Sequence, residues 1–155
     1  MRVEMTTNPS GPASTPPTPG LRILPFRSLL DAQVKLAGSS DFPVAGFDPL
    51  DGIRAAVTRC TGRGRVHDAE QCISLEEALT MYTRTAAEVA GCLDRCGTLE
   101  PGKRADIVVL DGQLAAGERL KTARVRATVI GGELAFGSLP LSPCGGGRGE
   151  GWLAR

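Results

Sequence analysis

The stretch from Gly97 to Asp111 limits the fold more than any other part of the sequence. Pro101 presets φ for the second position of a tight turn, and Gly102 tolerates the positive φ that a type II turn needs next. Ile107 to Leu110 is then a short apolar run rich in β-branched residues, which is typical of a strand buried on both faces. The sequence therefore predicts a tight turn that leads into a buried strand.

A second β pattern follows closer to the C-terminus. Apolar and polar residues alternate from Val125 to Ile130, and Glu133 to Phe136 resumes an extended pattern. Gly131 and Gly132 separate the two runs, and both tolerate the positive φ of a primed turn. We expect a β-hairpin here.

Upstream of these strands, the spacing of apolar residues predicts short helices. The first extends from Pro25 to Ala32. The second extends from Pro49 to Cys60, because Asp48 is a good N-cap acceptor and a proline at the first helical position loses no hydrogen bond. Between these two helices, Val34 to Gly38 alternates in polarity and predicts a short strand.

Two more helices are predicted after residue 73. Ser74 and Glu77 have the spacing of a capping box, in which each side chain satisfies an unpaired backbone N–H. Leu75 and Tyr82 belong to the apolar stripe of the helix that this box begins. The same pattern repeats at Thr85 and predicts a further short helix.

Composition excludes several classes of function. The 155 residues carry a net charge of +1, which creates no field that would attract nucleic acid or an acidic membrane. No apolar run approaches the roughly 20 residues that span a bilayer. We therefore expect a cytoplasmic protein with neither nucleic acid nor membrane as a partner. Residues 1–20 are rich in Pro, Thr and Ser, residues 138–155 are rich in Gly and Pro, and both segments are expected to be disordered.

The five cysteines do not indicate a zinc site. They are odd in number and lack the C-x-x-C spacing of zinc ligands. Cys92 and Cys96 are four residues apart, which would place them on one helical face or across a loop. We expect all five to be reduced thiols.

Several motifs together resemble the C-terminal portion of the metal-dependent amidohydrolases, in their amidohydrolase-3 branch. In chain order they are Pro25–Ala32, Ser40–Val44, Asp48–Leu50, Ile73–Leu79, Gly97–Asp111 and Val125–Gly132. The resemblance implies an α/β fold, a distorted (β/α)8 barrel beside a small β-sandwich. Residues 21–96 would supply the last barrel strand and the helices that follow, and residues 97–137 would supply sandwich strands. It also implies hydrolysis of carbon–nitrogen bonds in small, non-peptide, amide-like substrates at a bound divalent metal, with zinc as the expected ion.

Asp41 is the one candidate site residue. It matches the aspartate that ends the last barrel strand of this family, where it binds metal and moves protons. A carboxylate there can take a proton from a metal-activated water and deliver one to the departing nitrogen. The residues alone leave a second interpretation open, in which Asp41 only caps the loop before Pro43.

The other ligands that the resemblance implies have no match in this sequence. The family uses an H-x-H pair, a bridging lysine or acid and two further histidines, whereas the only histidine here is His67, in a predicted loop. Lys35 lies within the predicted strand, and Asp106 and Asp111 are interpreted as polar strand ends. We therefore expect a truncated fragment that binds no metal and is inactive alone, and whose partner is the missing N-terminal part of the enzyme or another copy. The alternative is a non-catalytic remnant or interaction module that pairs through exposed β-strands.

Overall fold

Helices occupy the first part of the chain and strands the second. The computed structural model describes residues 23–111 and 122–139. The helices are α1 (Phe26–Asp31), α2 (Pro49–Thr58), α3 (Leu75–Tyr82) and α4 (Arg84–Val89), with a 3-10 turn at Ala69–Gln71. The strands are β1 (Ile107–Leu110), β2 (Val125–Ile130) and β3 (Glu133–Gly137).

The hydrophobic core lies among the first three helices. Its buried members share an apolar side chain and come from α1, α2, α3 and the segments between them: Phe26, Leu36, Leu50, Ile53, Ala56, Ile73, Ala78 and Met81. Ala123, just before β2, is buried in the same cluster and ties the strand region to the helices. Burial of each large side chain contributes about 1.5–3 kcal/mol, so this cluster is the main source of stability in the described ranges.

Side-chain caps fix the starts of α2 and α3. The Leu50 N–H donates to Asp48 Oδ1 over 2.9 Å, as the sequence predicted. In the capping box, the Glu77 N–H donates to Ser74 Oγ over 3.1 Å, and the Ser74 N–H donates to Glu77 Oε2 over 2.8 Å. Both predicted caps are confirmed.

Two helix boundaries differ from the prediction. Helix α2 ends at Thr58 rather than Cys60, because Arg59 has a φ of 55° and leaves the helical conformation. Helix α4 begins at Arg84, so Thr85 is inside it and cannot be its cap. Thr83 precedes α4, but its Oγ1 donates instead to the Leu79 carbonyl over 2.8 Å.

Arg59 is a buried cation that joins three segments. Its side chain is 2% exposed, and it donates to the carbonyls of Ile23, Leu24 and His67 over 2.6, 3.1 and 3.1 Å. The guanidinium also lies 5.7 Å from the centre of the Phe26 ring. Burial lowers the pKa of Arg59 from its ordinary value. These contacts hold the start of the described chain against the loop that follows α2.

The sheet is antiparallel with strand order β1-β2-β3. Ile130 pairs with Glu133 across a two-residue loop, in which Gly131 and Gly132 have φ of 60° and 90°. Two positive φ values are the mark of a type I′ turn, and the predicted hairpin is confirmed. The predicted turn before β1 is also present: Gly102 has a φ of 88°, and the Lys103 N–H donates to the Glu100 carbonyl over 3.2 Å.

Two expectations about strands are wrong. Val34 to Gly38 forms no strand. The Val34 N–H donates to the Leu29 carbonyl of α1, and the Gly38 N–H donates to the Met81 carbonyl of α3. These two N–H groups therefore bond to helices and not to a neighbouring strand. Strand β1 is not buried on both faces, since Val108 is 56% exposed. The disorder expected for residues 1–20 and 138–155 concerns positions outside the described residues, except for residues 138 and 139, which form neither helix nor strand.

Candidate functional site

Asp41 lies in a tight turn between α1 and α2. It has a φ of 51°, in the left-handed region, and the Val44 N–H donates to its carbonyl over 2.9 Å. Its own N–H donates to Ser39 Oγ over 3.3 Å. These two hydrogen bonds fix the backbone of Asp41 in the turn. The residue is half-buried, so it remains partly open to solvent.

A cleft lies beside this turn. Its walls include Gly38 to Ser40, which precede Asp41 in the chain, and Ala45 to Gly46, which follow it, together with parts of α2 and α3. Asp41 itself is not one of the residues that line the cleft. Lys35, at its rim, forms an ion pair with Glu88. Asp48 caps α2 and Asp51 pairs with Arg54 over 2.5 Å, so both of these carboxylates at the cleft already have structural partners.

Tyr82 forms the floor of the cleft between two glycines. A Cβ at Gly38 would lie 2.6 Å from Tyr82 Cδ2, and one at Gly52 would lie 2.8 Å from Tyr82 Cζ. Both distances are too short for real atoms, so the ring needs glycine on each side. Burial raises the pKa of the Tyr82 phenol, which stays protonated at neutral pH. The sequence places Tyr82 on an apolar stripe, but nothing in the spacing of the two glycines predicts that they enclose it.

The described residues do not form a metal site by themselves. No group of three or more His, Cys, Asp and Glu side chains within residues 23–111 and 122–139 is arranged to hold a metal ion. His67 lies in a loop after α2, where its backbone carbonyl accepts from Arg59. The donor set that a hydrolytic metal requires is therefore not met by this part of the chain.

The two aspartates beside β1 have structural partners. Asp106 Oδ1 accepts from the Gly131 N–H over 2.8 Å and pairs with Arg104 over 2.9 Å. Asp111 Oδ1 lies 3.6 Å from Arg126. Asp106 thus fastens the hairpin turn to the start of β1, as expected of polar strand ends.

Comparison with known proteins decides the family. The sequence model of the amidohydrolase family, in its amidohydrolase-3 branch, matches residues 3–136 of this chain. The chain belongs to the amidohydrolase family. It is 35% identical to the N-substituted formamide deformylase of Arthrobacter pascens over 119 residues, which are 75% of this chain and 22% of the relative. It is 37% identical to the protein LONG AFTER FAR-RED 3 of Arabidopsis thaliana over 110 residues, 70% of this chain and 19% of that protein.

Solved structures of amidohydrolases have the same local fold. An amidohydrolase from Thermotoga maritima aligns with a TM-score of 0.55 at 26% identity, covering 73% of this chain and 26% of that chain. A mutant of the atrazine chlorohydrolase of Arthrobacter aurescens, complexed with zinc and atraton, aligns with a TM-score of 0.57 at 27% identity, covering 74% and 28%. The chain is therefore a small α/β amidohydrolase unit with a three-stranded sheet.

The match spans only part of each relative. The two curated relatives are several-fold longer than the segment that aligns, which makes up 22% and 19% of them.

None of the helices in the described ranges has the length and apolar character that a bilayer-spanning segment needs.

Proposed function

We propose that this chain supplies the last βα unit of the barrel and the C-terminal sandwich strands of a metal-dependent hydrolase that acts on non-peptide carbon–nitrogen bonds. The family match over residues 3–136 carries the proposal. The order of elements supports it, because helices that follow the Asp41 turn are succeeded by a separate antiparallel sheet. Residues 21–96 would belong to the barrel and residues 97–137 to the sandwich.

The proposed role of Asp41 is that of metal ligand and proton carrier in the assembled enzyme. The support for this role is its match to the family aspartate and its place in the chain, between two segments that line the cleft, whereas Asp41 itself is not one of the lining residues. A catalytic zinc is held by about three protein ligands, and Asp41 supplies one. Because the described residues offer no further set of ligands, the proposal is that the chain hydrolyses nothing alone.

A small amide-like molecule is the proposed substrate class, and zinc the proposed metal. The deformylase of Arthrobacter pascens is named for N-substituted formamides, and the chlorohydrolase of Arthrobacter aurescens was solved with zinc. The name of the deformylase supports the substrate class, and the zinc in the chlorohydrolase structure supports the metal.

The first prediction tests this function by complementation. The purified chain is assayed with zinc, alone and mixed with a polypeptide that carries the parts of the Arthrobacter pascens deformylase outside the matched segment. We expect no hydrolysis of an N-substituted formamide above the zinc control for the chain alone. The mixture should bind zinc and hydrolyse the formamide, and Asp41→Asn should lower that rate at least about a hundredfold.

The matched control is Asp31→Asn, which changes an exposed carboxylate paired with Arg27 on the surface of α1. It should leave the rate of the mixture unchanged. Zinc-dependent turnover by the chain alone would contradict the proposal, and so would a mixture whose activity survives Asp41→Asn.

A second candidate function is that of an interaction module. It is favoured by β3, one of the two edge strands of the described sheet, in which all five residues are exposed. An exposed edge with apolar side chains offers backbone hydrogen bonds to another strand. In this alternative the chain binds protein through β3 and carries out no chemistry.

A further inference from the structure

Cys92 and Cys96 form a close thiol pair at the junction between α4 and the segment that leads to the sheet. Their Sγ atoms lie 3.3 Å apart. The Cys96 N–H donates to the Cys92 carbonyl over 3.0 Å, so a single helical turn sets the distance between the two residues. An S–S bond is about 2.05 Å long, so small side-chain rotations would bring the sulfurs to bonding distance.

The backbone around the pair is held on both sides. The Cys92 N–H donates to the Ala87 carbonyl of α4 over 2.9 Å. The Arg104 N–H donates to the Arg95 carbonyl over 2.8 Å, which ties the turn to the approach of β1. The two thiols therefore lie between an anchored helix end and an anchored loop, and their proximity is a property of the fold.

Solvent reaches the pair through an open cavity. Cys92 and Cys96 are half-buried, and the cavity is lined by them together with Arg95, Gly102, Arg104 and Asp106. Arg104 pairs with Asp106 over 2.9 Å, and Arg95 Nε lies 4.0 Å from Asp94 Oδ1. Because these charges are balanced, the cavity does not repel a small anionic reagent such as glutathione disulfide.

We propose that Cys92 and Cys96 are a redox-active dithiol that is oxidised to an intrachain disulfide by low-molecular-weight disulfides such as glutathione disulfide. One thiolate attacks a sulfur of the reagent, forms a mixed disulfide and releases one glutathione thiol. The second thiolate then attacks the protein sulfur of that mixed disulfide and releases the other glutathione thiol. Two electrons and two protons pass from the cysteines to the reagent, which is reduced to two thiols.

The pH dependence follows from the surroundings of Cys96. Its hydrogen bond with Cys92 raises the pKa of the Cys96 thiol, burial and the Asp106 charge act in the same direction, and Arg95 opposes them. The thiolate is the reactive form, so a raised pKa makes it scarce at neutral pH. Disulfide formation should accelerate as the pH rises towards that pKa.

The second prediction is tested on the full chain. The reduced protein is incubated with glutathione disulfide at mildly alkaline pH, its free thiols are alkylated, and it is unfolded and digested with trypsin. Trypsin cuts after Arg95, between the two cysteines, so the disulfide joins peptides 85–95 and 96–103 in the mass spectrum. We expect this joined species to dominate, with mixed disulfides at Cys92 or Cys96 at about a tenth or less, because ring closure has a high effective concentration.

Variants separate the pair from the other thiols. Cys92→Ser or Cys96→Ser should leave a persistent glutathione adduct on the remaining cysteine. Cys60→Ser and Cys72→Ser, the matched controls, should leave the joined species unchanged. The proposal is overturned if the wild type keeps glutathione on Cys92 or Cys96, if either cysteine links to another one, or if the yield is the same in urea as in native buffer.

Discussion

At the scale of single residues, Tyr82 shows how a contact can reverse an ordinary propensity. Gly52 lies inside α2, where alanine is normally favoured over glycine by about 1 kcal/mol. In this helix the Tyr82 ring occupies the space of a side chain at position 52. The glycine is therefore retained for packing at the expense of helix stability.

The third prediction concerns this contact. Gly52→Ala should lower the free energy of unfolding by about 1–3 kcal/mol, because the ring must move to admit a methyl group. Urea titration of both proteins measures the change. Gly46→Ala is the control, since a Cβ there would meet no atom within 4 Å. An increase in stability on Gly52→Ala would show that the ring moves aside freely and that propensity decides.

Arg59 illustrates a buried charge that the sequence does not reveal. It directly follows the amphipathic helix α2, and the side chain of an arginine at such a position is usually exposed to solvent. In the fold its guanidinium group donates to three backbone carbonyls from two other segments of the chain. An arginine can serve several acceptors at once because its donors are fixed in one plane.

At the scale of elements, α3 depends on its first turn. Helices of this length are marginal without caps, and the capping box pairs two backbone N–H groups that would otherwise lack partners. Glu77 additionally accepts from Arg27 of α1 over 2.7 Å. The cap thus joins two helices as well as starting one.

The fourth prediction follows from the pKa of Glu77. Hydrogen bonds from the Ser74 backbone, and then from Arg27, lower the pKa of this carboxyl. A group whose pKa is depressed by folding stabilises the protein above its unfolded pKa, and that contribution is lost as the pH falls through the folded pKa. Glu77→Gln keeps an acceptor for the capping box but removes the charge that Arg27 pairs with. It should therefore cost up to about 1 kcal/mol near neutral pH and progressively less in acid.

Unfolding in urea at a series of pH values measures the difference. Glu76→Gln, one position earlier and exposed, is the matched control and should change stability little at any pH. If the two variants have the same pH profile, the charge of Glu77 does not stabilise the protein in the way proposed.

At the scale of the whole molecule, the sheet leaves an apolar face exposed. Val108 pairs with Thr128, and Thr128 pairs with Phe136, so these three side chains share one face. Val108 and Phe136 are 56% and 59% exposed. Isolated small sheets of this kind are marginal, which is consistent with a unit whose facing layer comes from elsewhere.

The fifth prediction is that the chain alone self-associates or binds a hydrophobic dye through this face. Phe136→Thr should weaken self-association at least about tenfold, because it removes a large apolar side chain and keeps β propensity. Light scattering and dye fluorescence provide the two measurements. Glu133→Gln, in the same strand, is the control and should have no such effect. A monomeric, dye-silent chain that unfolds cooperatively would contradict the prediction and identify a self-sufficient small domain.

Local chemistry was enough to predict most elements of the fold. The caps at Asp48 and Ser74, the turn at Gly102 and the hairpin at Gly131 each depend on a few neighbouring residues, and all are present. Motif order was also enough to indicate the family. The role of Asp41 stays a prediction, because the groups that would share its metal are not among the described residues.

What only the tertiary structure decided depends on residues far apart in sequence. Val34 to Gly38 has the alternation of a strand, but a strand needs a neighbour for its ladder, and helix ends supply its partners instead. The glycines around Tyr82, the buried fork of Arg59 and the approach of Cys92 to Cys96 are likewise set by packing. Sequence spacing determines which face of an element a side chain shares, whereas its partner on that face is decided only when separate elements pack together.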